Sequence, residues 1–167
     1  MMMRKKTVFL DRDGVINRER GEYTYKLEDF EVNEGIIESI KYLNENDCLV
    51  IIISNQGGIS KGLYCLEDVY NCHNKLINLL SENGAWIDDF YFCPHYTKLE
   101  NCLCRKPQGL MLEKAMDCYK INKSDAIFIG DSDTDVQAAN NAGIRGVKIN
   151  SNSNIYGLIK TFILETE

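Results

Sequence analysis

Phe9-Leu10-Asp11-Arg12-Asp13-Gly14 closes a short apolar run that begins at Thr7. The apolar residues predict a buried strand, and the glycine lets the chain turn away at its end. Two carboxylates at such a point can take different chemical roles. We expect Asp11 to stay ionised as a nucleophile, and Asp13 to give a proton to a leaving oxygen and take one from water. Because Asp-x-Asp pairs also occur in turns and solvated loops, other segments must decide between the two interpretations.

Length and composition predict one globular domain spanning residues 1–167, with a hydrophobic core. The chain is 44% hydrophobic and 26% charged. Apolar runs such as Leu49–Ile53 are too short to cross a bilayer, and the basic start Met1–Lys6 is not followed by the apolar stretch of a signal peptide. We therefore expect a cytoplasmic, monomeric protein without membrane partners. The net charge of -6 argues against a broad nucleic-acid-binding face.

Short β-branched runs alternate with longer segments of helical periodicity. Strands are predicted at Thr7–Leu10, Leu49–Ser54, Asp89–Cys93, Ala126–Gly130 and Gly146–Ile149. Helices are predicted at about Gly35–Asn46, Leu66–Asn83, Gly109–Tyr119, Thr134–Ala142 and Ile155–Leu164. This order predicts an α/β fold with a Rossmann-like parallel sheet and helices on both faces. Ligands bind at the carboxyl ends of the strands in such sheets, and four polar residues fall there: Asp11, Ser54, Cys93 and Asp131.

Two segments carry groups suited to phosphate. Ser54-Asn55-Gln56-Gly57-Gly58 offers a hydroxyl and backbone N–H groups to an anion; the alternative is an ordinary strand-to-helix turn. Lys106, beside Pro107, suits a clamp on phosphate oxygens, and Arg105 is free to reach another group of the substrate. Exposed Arg-Lys pairs are common, so this segment does not decide the function by itself.

The acidic run Asp131-Ser132-Asp133-Thr134-Asp135 follows a predicted strand directly. So many acids would repel one another unless a cation or a helix cap absorbs the charge. Asp131 lies closest to the strand and is the expected Mg²⁺ ligand, because that ion prefers hard oxygen donors. We expect Asp133 to cap the following helix, and Asp135 to orient a neighbouring donor or lysine.

Seven cysteines without an export signal favour metal binding over disulfides. Cys93-Pro94-His95 and Cys102-Leu103-Cys104 supply three thiolates and one imidazole, the closed tetrahedral set of a structural zinc site. A chance cluster of free thiols is the alternative, and a catalytic zinc is disfavoured because four protein ligands leave no open position. Since Cys104 directly precedes Arg105 and Lys106, we expect zinc to fix the loop that aims the phosphate clamp.

The remaining cysteines and the second histidine are interpreted as structural. Cys48, Cys65, Cys72 and Cys118 lie in predicted strands and helices, and we expect them to behave as small hydrophobic residues. His73 lies on a helix of mixed polarity and is expected at the surface, with no role as a ligand.

The order and spacing of these segments resemble the haloacid dehalogenase (HAD) superfamily of phosphohydrolases, over nearly the whole chain. The resemblance implies an aspartyl-phosphate mechanism, with Asp11 as the nucleophile and Asp13 as the general acid and base. It implies Mg²⁺ held by the carboxylates of Asp11 and Asp131 and by the main-chain carbonyl of Asp13. It also implies that Ser54 and Lys106 bind the transferring phosphoryl group.

Within the superfamily, the chain is similar to the capless branch that holds D-glycero-D-manno-heptose 1,7-bisphosphate 7-phosphatases and histidinol-phosphate phosphatases. The Asp-Arg-Asp-Gly, Ser-Asn-Gln-Gly-Gly-Ile, Cys-Pro-His…Cys-x-Cys-Arg-Lys-Pro and Gly-Asp-Ser segments carry this similarity. There is no room for an inserted cap, so loops must shape the pocket. We expect a small phosphorylated metabolite there, bound by Asn17, Asn55, Gln56 and Arg105.

Four features bear on the choice of substrate. Gly58-Ile59-Ser60-Lys61-Gly62 and Gly21-Glu22-Tyr23 resemble the heptose enzymes, whereas the short zinc loop and Ser132, often Lys in those enzymes, do not. The balance favours heptose bisphosphate, with histidinol phosphate as the alternative. A phosphotransferase is disfavoured because it needs a cap. A catalytically silent member that only binds a phosphorylated ligand is disfavoured because the residues expected to carry the reaction are all present: Asp11, Asp13, Lys106 and Asp131.

Overall fold

The predicted strand segments pair into one sheet in the computed structural model, which describes residues 6–165. Its strands are β1 (Thr7–Leu10), β2 (Leu49–Asn55), β3 (Asp89–Cys93), β4 (Ala126–Gly130) and β5 (Arg145–Lys148). They run parallel in the order β3-β2-β1-β4-β5. The predicted Rossmann-like sheet is confirmed, although β5 begins one residue before its predicted start. The segment Met1–Lys5, most of the basic start, lies outside the described residues.

Five helices connect and follow the strands within residues 6–165. They are α1 (Ile36–Glu45), α2 (Leu66–Glu82), α3 (Leu110–Tyr119), α4 (Asp133–Ala142) and α5 (Tyr156–Leu164), with a short 3-10 turn at Lys123–Asp125. None of the helices in this described part is long and apolar enough to span a lipid bilayer. Between β1 and β2 the only regular element is α1, in agreement with the expected capless architecture.

The sheet is covered on both faces because its strands alternate their side chains. Val8 and Leu10 pack in one core cluster with α1, α2 and α5, whereas Phe9 packs in the other with α3 and α4. All residues of β1 are buried, as expected for a central parallel strand with helices on both sides.

The strand order also fixes the place of the site. From β1 the chain proceeds outward to β2 and β3, then crosses back to β4 on the other side of β1. This change of direction opens a crevice beyond the carboxyl ends of β1 and β4, where doubly wound sheets bind ligands. Asp11 and Asp131 are the first residues after these two strands.

Three structural expectations from the sequence are wrong. His73 is only 4% exposed, because its face of α2 packs on β3 and its ring stacks on Phe90 at 4.3 Å between centroids. Cys65 and Cys118 are exposed, whereas Cys48 and Cys72 are buried as expected. The cap of α4 is Ser132, which exchanges hydrogen bonds with Asp135; the expected cap, Asp133, instead pairs with Lys148 at 2.6 Å.

Candidate active site

Three carboxylates meet beyond the ends of β1 and β4. Asp11, Asp131 and Asp135 each place a carboxylate oxygen within 4.8 Å of the others, and we call them the oxygen cluster. The pairing of Leu10 with Ile129 brings the two strand ends together. Gly14, at φ 86, lets the chain after β1 pass this point, since a Cβ there would collide with the Asp131 carboxylate.

Lys106 is the positive charge of this cluster. Its Nζ lies 2.8 Å from Asp11 Oδ1 and 2.6 Å from Asp135 Oδ1, and it donates to the Ile53 carbonyl at 3.2 Å. The side chain is buried. The expectation that Asp135 orients a lysine is therefore confirmed, and the residue that sequence analysis selected as a phosphate clamp lies against the predicted nucleophile.

The oxygen cluster has more negative than positive charge. Burial raises the pKa of Asp11 to about 8, with Lys106 opposing and Asp135 adding to the shift. The sequence led us to expect a plainly ionised Asp11, because it does not show how deeply the residue is buried. A divalent cation between Asp11 and Asp131 would remove the excess charge, and hard carboxylate donors are those that Mg²⁺ prefers. The donor set therefore fits Mg²⁺.

Asp131 is the most accessible acid of the cluster. It is partly exposed, and its Oδ2 accepts a hydrogen bond from the Ser151 hydroxyl at 2.6 Å. Ser151 follows β5 and was not selected from the sequence, because no local pattern marks it. The next residue, Asn152, donates its backbone N–H to the Gly14 carbonyl at 2.7 Å, so the loop after β5 packs on the loop after β1.

The Asp13 carboxylate takes no part in the oxygen cluster and accepts four hydrogen bonds. Arg12 donates through Nη2 at 2.8 Å and Nε at 3.1 Å, and Asn17 Nδ2 and Gln56 Nε2 each donate at 3.0 Å. Burial alone would raise the pKa of Asp13, but the charge of Arg12 and these hydrogen bonds outweigh it and lower the pKa. Asp13 is therefore held in its carboxylate form, which suits the removal of a proton from water.

Arg12 is a site residue that sequence analysis missed. It is fully buried, and its Nη2 also donates to the Thr24 carbonyl at 2.6 Å, so it joins the loop after β1 to the Asp13 carboxylate. The available signal was its position between two acids at the end of a buried strand.

The amide side chains expected to bind substrate contact other residues of the site. Asn55 accepts from Lys106 N at 3.0 Å and donates to Lys106 O at 3.2 Å, which fixes the backbone of the lysine. Gln56 Nε2 donates to Ser54 Oγ at 2.7 Å as well as to Asp13, and Asn17 is fully buried against Asp13. Contact of these amides with substrate stays a prediction.

The predicted zinc ligands converge in the loop that follows β3. Cys93, His95, Cys102 and Cys104 each offer a ligand atom within 4.8 Å of the others, and we call them the sulfur cluster. Their separations include 3.7 Å between Cys93 and Cys102 Sγ and 3.2 Å between His95 Nδ1 and Cys104 Sγ. Zinc–sulfur bonds of about 2.3 Å place tetrahedral ligands roughly 3.7 Å apart. The arrangement and the soft donor atoms fit a closed zinc site.

A second group of cations lies beside the loop that carries Lys106. Lys61 Nζ lies 3.9 Å from the ring centroid of Tyr96 and 5.0 Å from that of Tyr23. The guanidinium carbon of Arg105 lies 5.9 Å from the Tyr96 centroid, and its Nη1 donates to the His95 carbonyl at 3.0 Å. We call Lys61, Arg105, Tyr23 and Tyr96 the cation–tyrosine cluster.

Similarity to known proteins agrees with this geometry. Residues 103–154 match the HAD-hydrolase-like family. The chain is 42% identical over 142 residues to D-glycero-alpha-D-manno-heptose-1,7-bisphosphate 7-phosphatase of Campylobacter jejuni, covering 85% of this chain and 80% of that protein. It is 38% identical over 146 residues to the corresponding beta-heptose enzyme of Helicobacter pylori strain J99, covering 87% and 83%.

Solved structures give the same result. The D,D-heptose 1,7-bisphosphate phosphatase from B. bronchiseptica, complexed with magnesium and phosphate, superposes with a TM-score of 0.84 at 28% sequence identity. The match covers 93% of this chain and 86% of that chain. A protein of this fold therefore holds both the ion and the anion that the oxygen cluster and Lys106 are suited to bind.

Proposed function

The chain belongs to the heptose-1,7-bisphosphate 7-phosphatase family of HAD-like phosphoric monoester hydrolases, and on this basis we propose that it removes the 7-phosphate of D-glycero-D-manno-heptose 1,7-bisphosphate. The observation that carries the proposal is the contact of Lys106 with Asp11 beside Asp131. A nucleophile, a cation for the phosphoryl oxygens and a carboxylate for Mg²⁺ thus share one crevice.

The proposed reaction begins at Asp11. Its Oδ1 accepts hydrogen bonds from Lys106 Nζ and Arg12 N at 2.8 and 2.7 Å, which leaves Oδ2 to form the bond to phosphorus. As the bond from phosphorus to the C7 oxygen breaks, that oxygen takes a proton from Asp13. Asp13 then removes a proton from water, whose oxygen attacks phosphorus and releases Asp11 and inorganic phosphate.

Electrostatics must supply most of the acceleration. Uncatalysed monoester hydrolysis requires enhancements of up to about 10²¹-fold, and one acid–base group contributes only about 10²–10⁴-fold. Lys106 and the Ser54 hydroxyl would hold phosphoryl oxygens, and Mg²⁺, held by Asp11, Asp131 and the Asp13 carbonyl, would neutralise charge on the same oxygens. Asp13 must take up a proton before it can act as the acid, because Arg12 holds it ionised.

The cation–tyrosine cluster supports a substrate with a second phosphate. Lys61 and Arg105 both lie around Tyr96, and Arg105 is joined by the peptide chain to the lysine that contacts the nucleophile. We assign these two cations to the phosphate on C1. Histidinol phosphate has no second phosphate, so this cluster favours the heptose bisphosphate.

The sulfur cluster is proposed to hold one structural zinc ion. Its last ligand, Cys104, is two residues from Lys106. The backbone carbonyl of its first ligand, Cys93, accepts a hydrogen bond from the backbone N–H of Gln56 at 2.7 Å. Zinc would therefore fix the loop between the two phosphate-binding regions without contacting substrate. The cytoplasmic location, the monomeric state and the single domain over residues 1–167 stay predictions.

Phosphate release tests the function directly. The alpha and beta anomers of heptose 1,7-bisphosphate are compared with histidinol phosphate by kcat/KM in the presence of Mg²⁺, because named relatives act on each anomer. We expect kcat/KM to be at least about 10²-fold higher for one bisphosphate anomer, a difference of roughly 3 kcal/mol. Phosphorus NMR should find the remaining phosphate on C1. A preference for histidinol phosphate, or release from C1, would overturn the proposal.

A further inference from the structure

A chain of hydrogen bonds leads from an aromatic ring to the predicted phosphate ligand. The Tyr64 hydroxyl donates to Gln56 Oε1 at 2.7 Å. Gln56 Nε2 then donates to Ser54 Oγ at 2.7 Å and to Asp13 Oδ2 at 3.0 Å. Tyr64 is 7% exposed, and Gln56 and Ser54 are each 1% exposed. Buried polar atoms need hydrogen-bond partners, so these side chains are held in one arrangement.

The direction of these hydrogen bonds follows from the chemistry of their ends. Asp13 Oδ2 also accepts from Arg12 Nε at 3.1 Å, so it is an acceptor and the nitrogen of the Gln56 amide faces it. The same nitrogen then faces Ser54, whose oxygen accepts. Within residues 6–165 the Ser54 hydroxyl proton has no hydrogen-bond acceptor, so that proton is available to an oxygen of the transferring phosphoryl group.

We propose that Tyr64 is a positioning residue of the phosphatase reaction, which fixes the orientation of the Gln56 amide and thereby turns the Ser54 proton toward the phosphoryl group. This inference rests on the proposed function, since it assigns a phosphoryl group to the crevice. Without the Tyr64 hydroxyl, the amide loses the contact that holds its oxygen, and Gln56 can rotate away from Ser54 and Asp13.

The position of the hydroxyl is itself fixed by packing. The Tyr64 ring stacks on Tyr25 with centroids 5.0 Å apart and planes at 12°, and it contacts Tyr23 at 5.8 Å. The ring also lies directly on Gly58, where a Cβ would overlap it. Gly58, the last residue of the segment Ser54–Gly58, therefore makes room for the ring whose hydroxyl orients Gln56.

The first test is Tyr64→Phe, which keeps the ring and its stacking and removes only the hydroxyl. We expect kcat to fall about tenfold, because one hydrogen bond in the transition state is weakened, while KM changes less than about twofold. Tyr25→Phe is the matched control, since it alters the stacked partner outside the hydrogen-bonded chain, and it should leave kcat within about twofold. Equal kcat for Tyr64→Phe and the parent protein would overturn the proposal.

A double-mutant cycle tests the route through Gln56. Gln56→Met keeps the length of the side chain but cannot orient Ser54, so in that background Tyr64→Phe should change kcat less than about twofold. Additive losses would overturn the proposal. Should Tyr64→Phe fail to fold, Gln56→Glu takes its place. A carboxylate cannot donate to Ser54, so an undiminished kcat for a folded Gln56→Glu would equally overturn it.

Orthovanadate separates this inference from the proposed function. Vanadate adopts the five-coordinate geometry of the transition state of phosphoryl transfer. Its affinity, measured by calorimetry, therefore reports on the crevice whatever sugar is the substrate. Tyr64→Phe should weaken vanadate binding about tenfold and leave inorganic phosphate binding within about twofold. Unchanged vanadate affinity overturns the role of Tyr64, whereas loss of heptose turnover by the parent protein alone overturns only the substrate.

Discussion

The oxygen cluster and the sulfur cluster lie at the same sheet edge, but they are assembled in opposite ways. The oxygen cluster takes Asp11 and Asp131 from the ends of β1 and β4 and Asp135 from the first turn of α4. Its lysine comes from another segment, so the cluster exists only when the sheet has formed. The sulfur cluster comes from one short segment: Cys93 is the last residue of β3, and the other three ligands lie in the loop that follows. The oxygen cluster is fixed by long-range pairing, and we propose that a metal fixes the sulfur cluster.

This difference predicts how strongly substitutions in each cluster affect the protein. In the oxygen cluster, Lys106 is held by Asp11, Asp135 and the backbone of β2, in addition to the pair that Asn55 makes with its main chain. None of these contacts involves a residue of the sulfur cluster, so we expect them to persist when the proposed zinc ion is lost. We therefore expect substitutions in the oxygen cluster to cause large losses of turnover. Substitutions in the sulfur cluster should cause moderate losses.

Asp11→Asn should have the largest effect. Turnover is expected to fall by about 10⁴-fold or more, because the amide cannot attack phosphorus. The free energy of unfolding should not fall, since burial already opposes the charge of Asp11. Steady-state phosphate release and urea unfolding measure the two quantities. Residual kcat above about 1% would show that the nucleophile lies elsewhere and that the oxygen cluster has another role.

Lys106→Met should come next and should damage both chemistry and stability. We expect kcat/KM to fall about 10³-fold and the free energy of unfolding to fall by about 3 kcal/mol, because the buried Asp135 carboxylate loses its counter-charge and Asp11 loses a hydrogen bond. Lys148→Met is the matched control, since its exposed pair with Asp133 should contribute less than about 1 kcal/mol. Similar stability losses for the two variants would contradict the view that the oxygen cluster is held by buried charge.

Cys102→Ser should have a moderate effect on turnover. Zinc content, measured by mass spectrometry of the metal, is expected to drop from one ion per chain to less than half, because one thiolate is lost. We expect kcat to fall about tenfold, since the loop loosens while Asn55 still holds Lys106. Cys118→Ser, at an exposed position, should change neither quantity. Full turnover by a zinc-free protein of unchanged structure would break the proposed coupling of the clusters.

His73→Gln should have the smallest effect on activity, because this histidine belongs to neither cluster. Burial, aided by Arg12 and opposed by Asp13, lowers the pKa of His73 to about 4. In the unfolded chain His73 is protonated below about pH 6.5, whereas in the folded chain it stays neutral down to about pH 4. The free energy of unfolding therefore falls as the pH falls through this range.

Urea unfolding at two pH values measures this contribution. Between pH 7 and pH 5 the parent protein should lose about 2 kcal/mol more than His73→Gln, while kcat at pH 7 stays within about twofold. The difference between the two proteins isolates the imidazole, since carboxylates that titrate in the same range are common to both. An equal loss in both proteins would show that His73 is protonated inside the fold.

Much of this architecture could be predicted because its signals are local. The alternation of apolar runs and helical periodicity located the five strands to within one residue at each end, and the parallel order then placed Asp11 and Asp131 together. The sulfur cluster was visible as spacing alone. These features depend on residues that are close in sequence or on a rule about sheets.

What the sequence did not reveal depends on contacts between distant segments. The ionised state of Asp13 comes from Arg12, which is itself fixed by the Thr24 carbonyl. The hydrogen bonds that orient the Gln56 amide come from Tyr64 and lead to Ser54 and Asp13, and only the folded chain brings Asp13 beside it. His73 was placed at the surface because its helix is mixed in polarity, whereas the aromatic residues of β3 cover it. Periodicity carries no information about such partners.

The central position of β1 also has a consequence during synthesis. On the ribosome β1 emerges before every other strand described, yet one of its two edges is paired only when Ala126–Gly130 has been made. Until then the growing polypeptide exposes an apolar strand edge that invites association with other chains. A nascent protein halted before that point would carry Asp11 without Asp131, so the oxygen cluster forms only after β4 and the residues that follow it have been made.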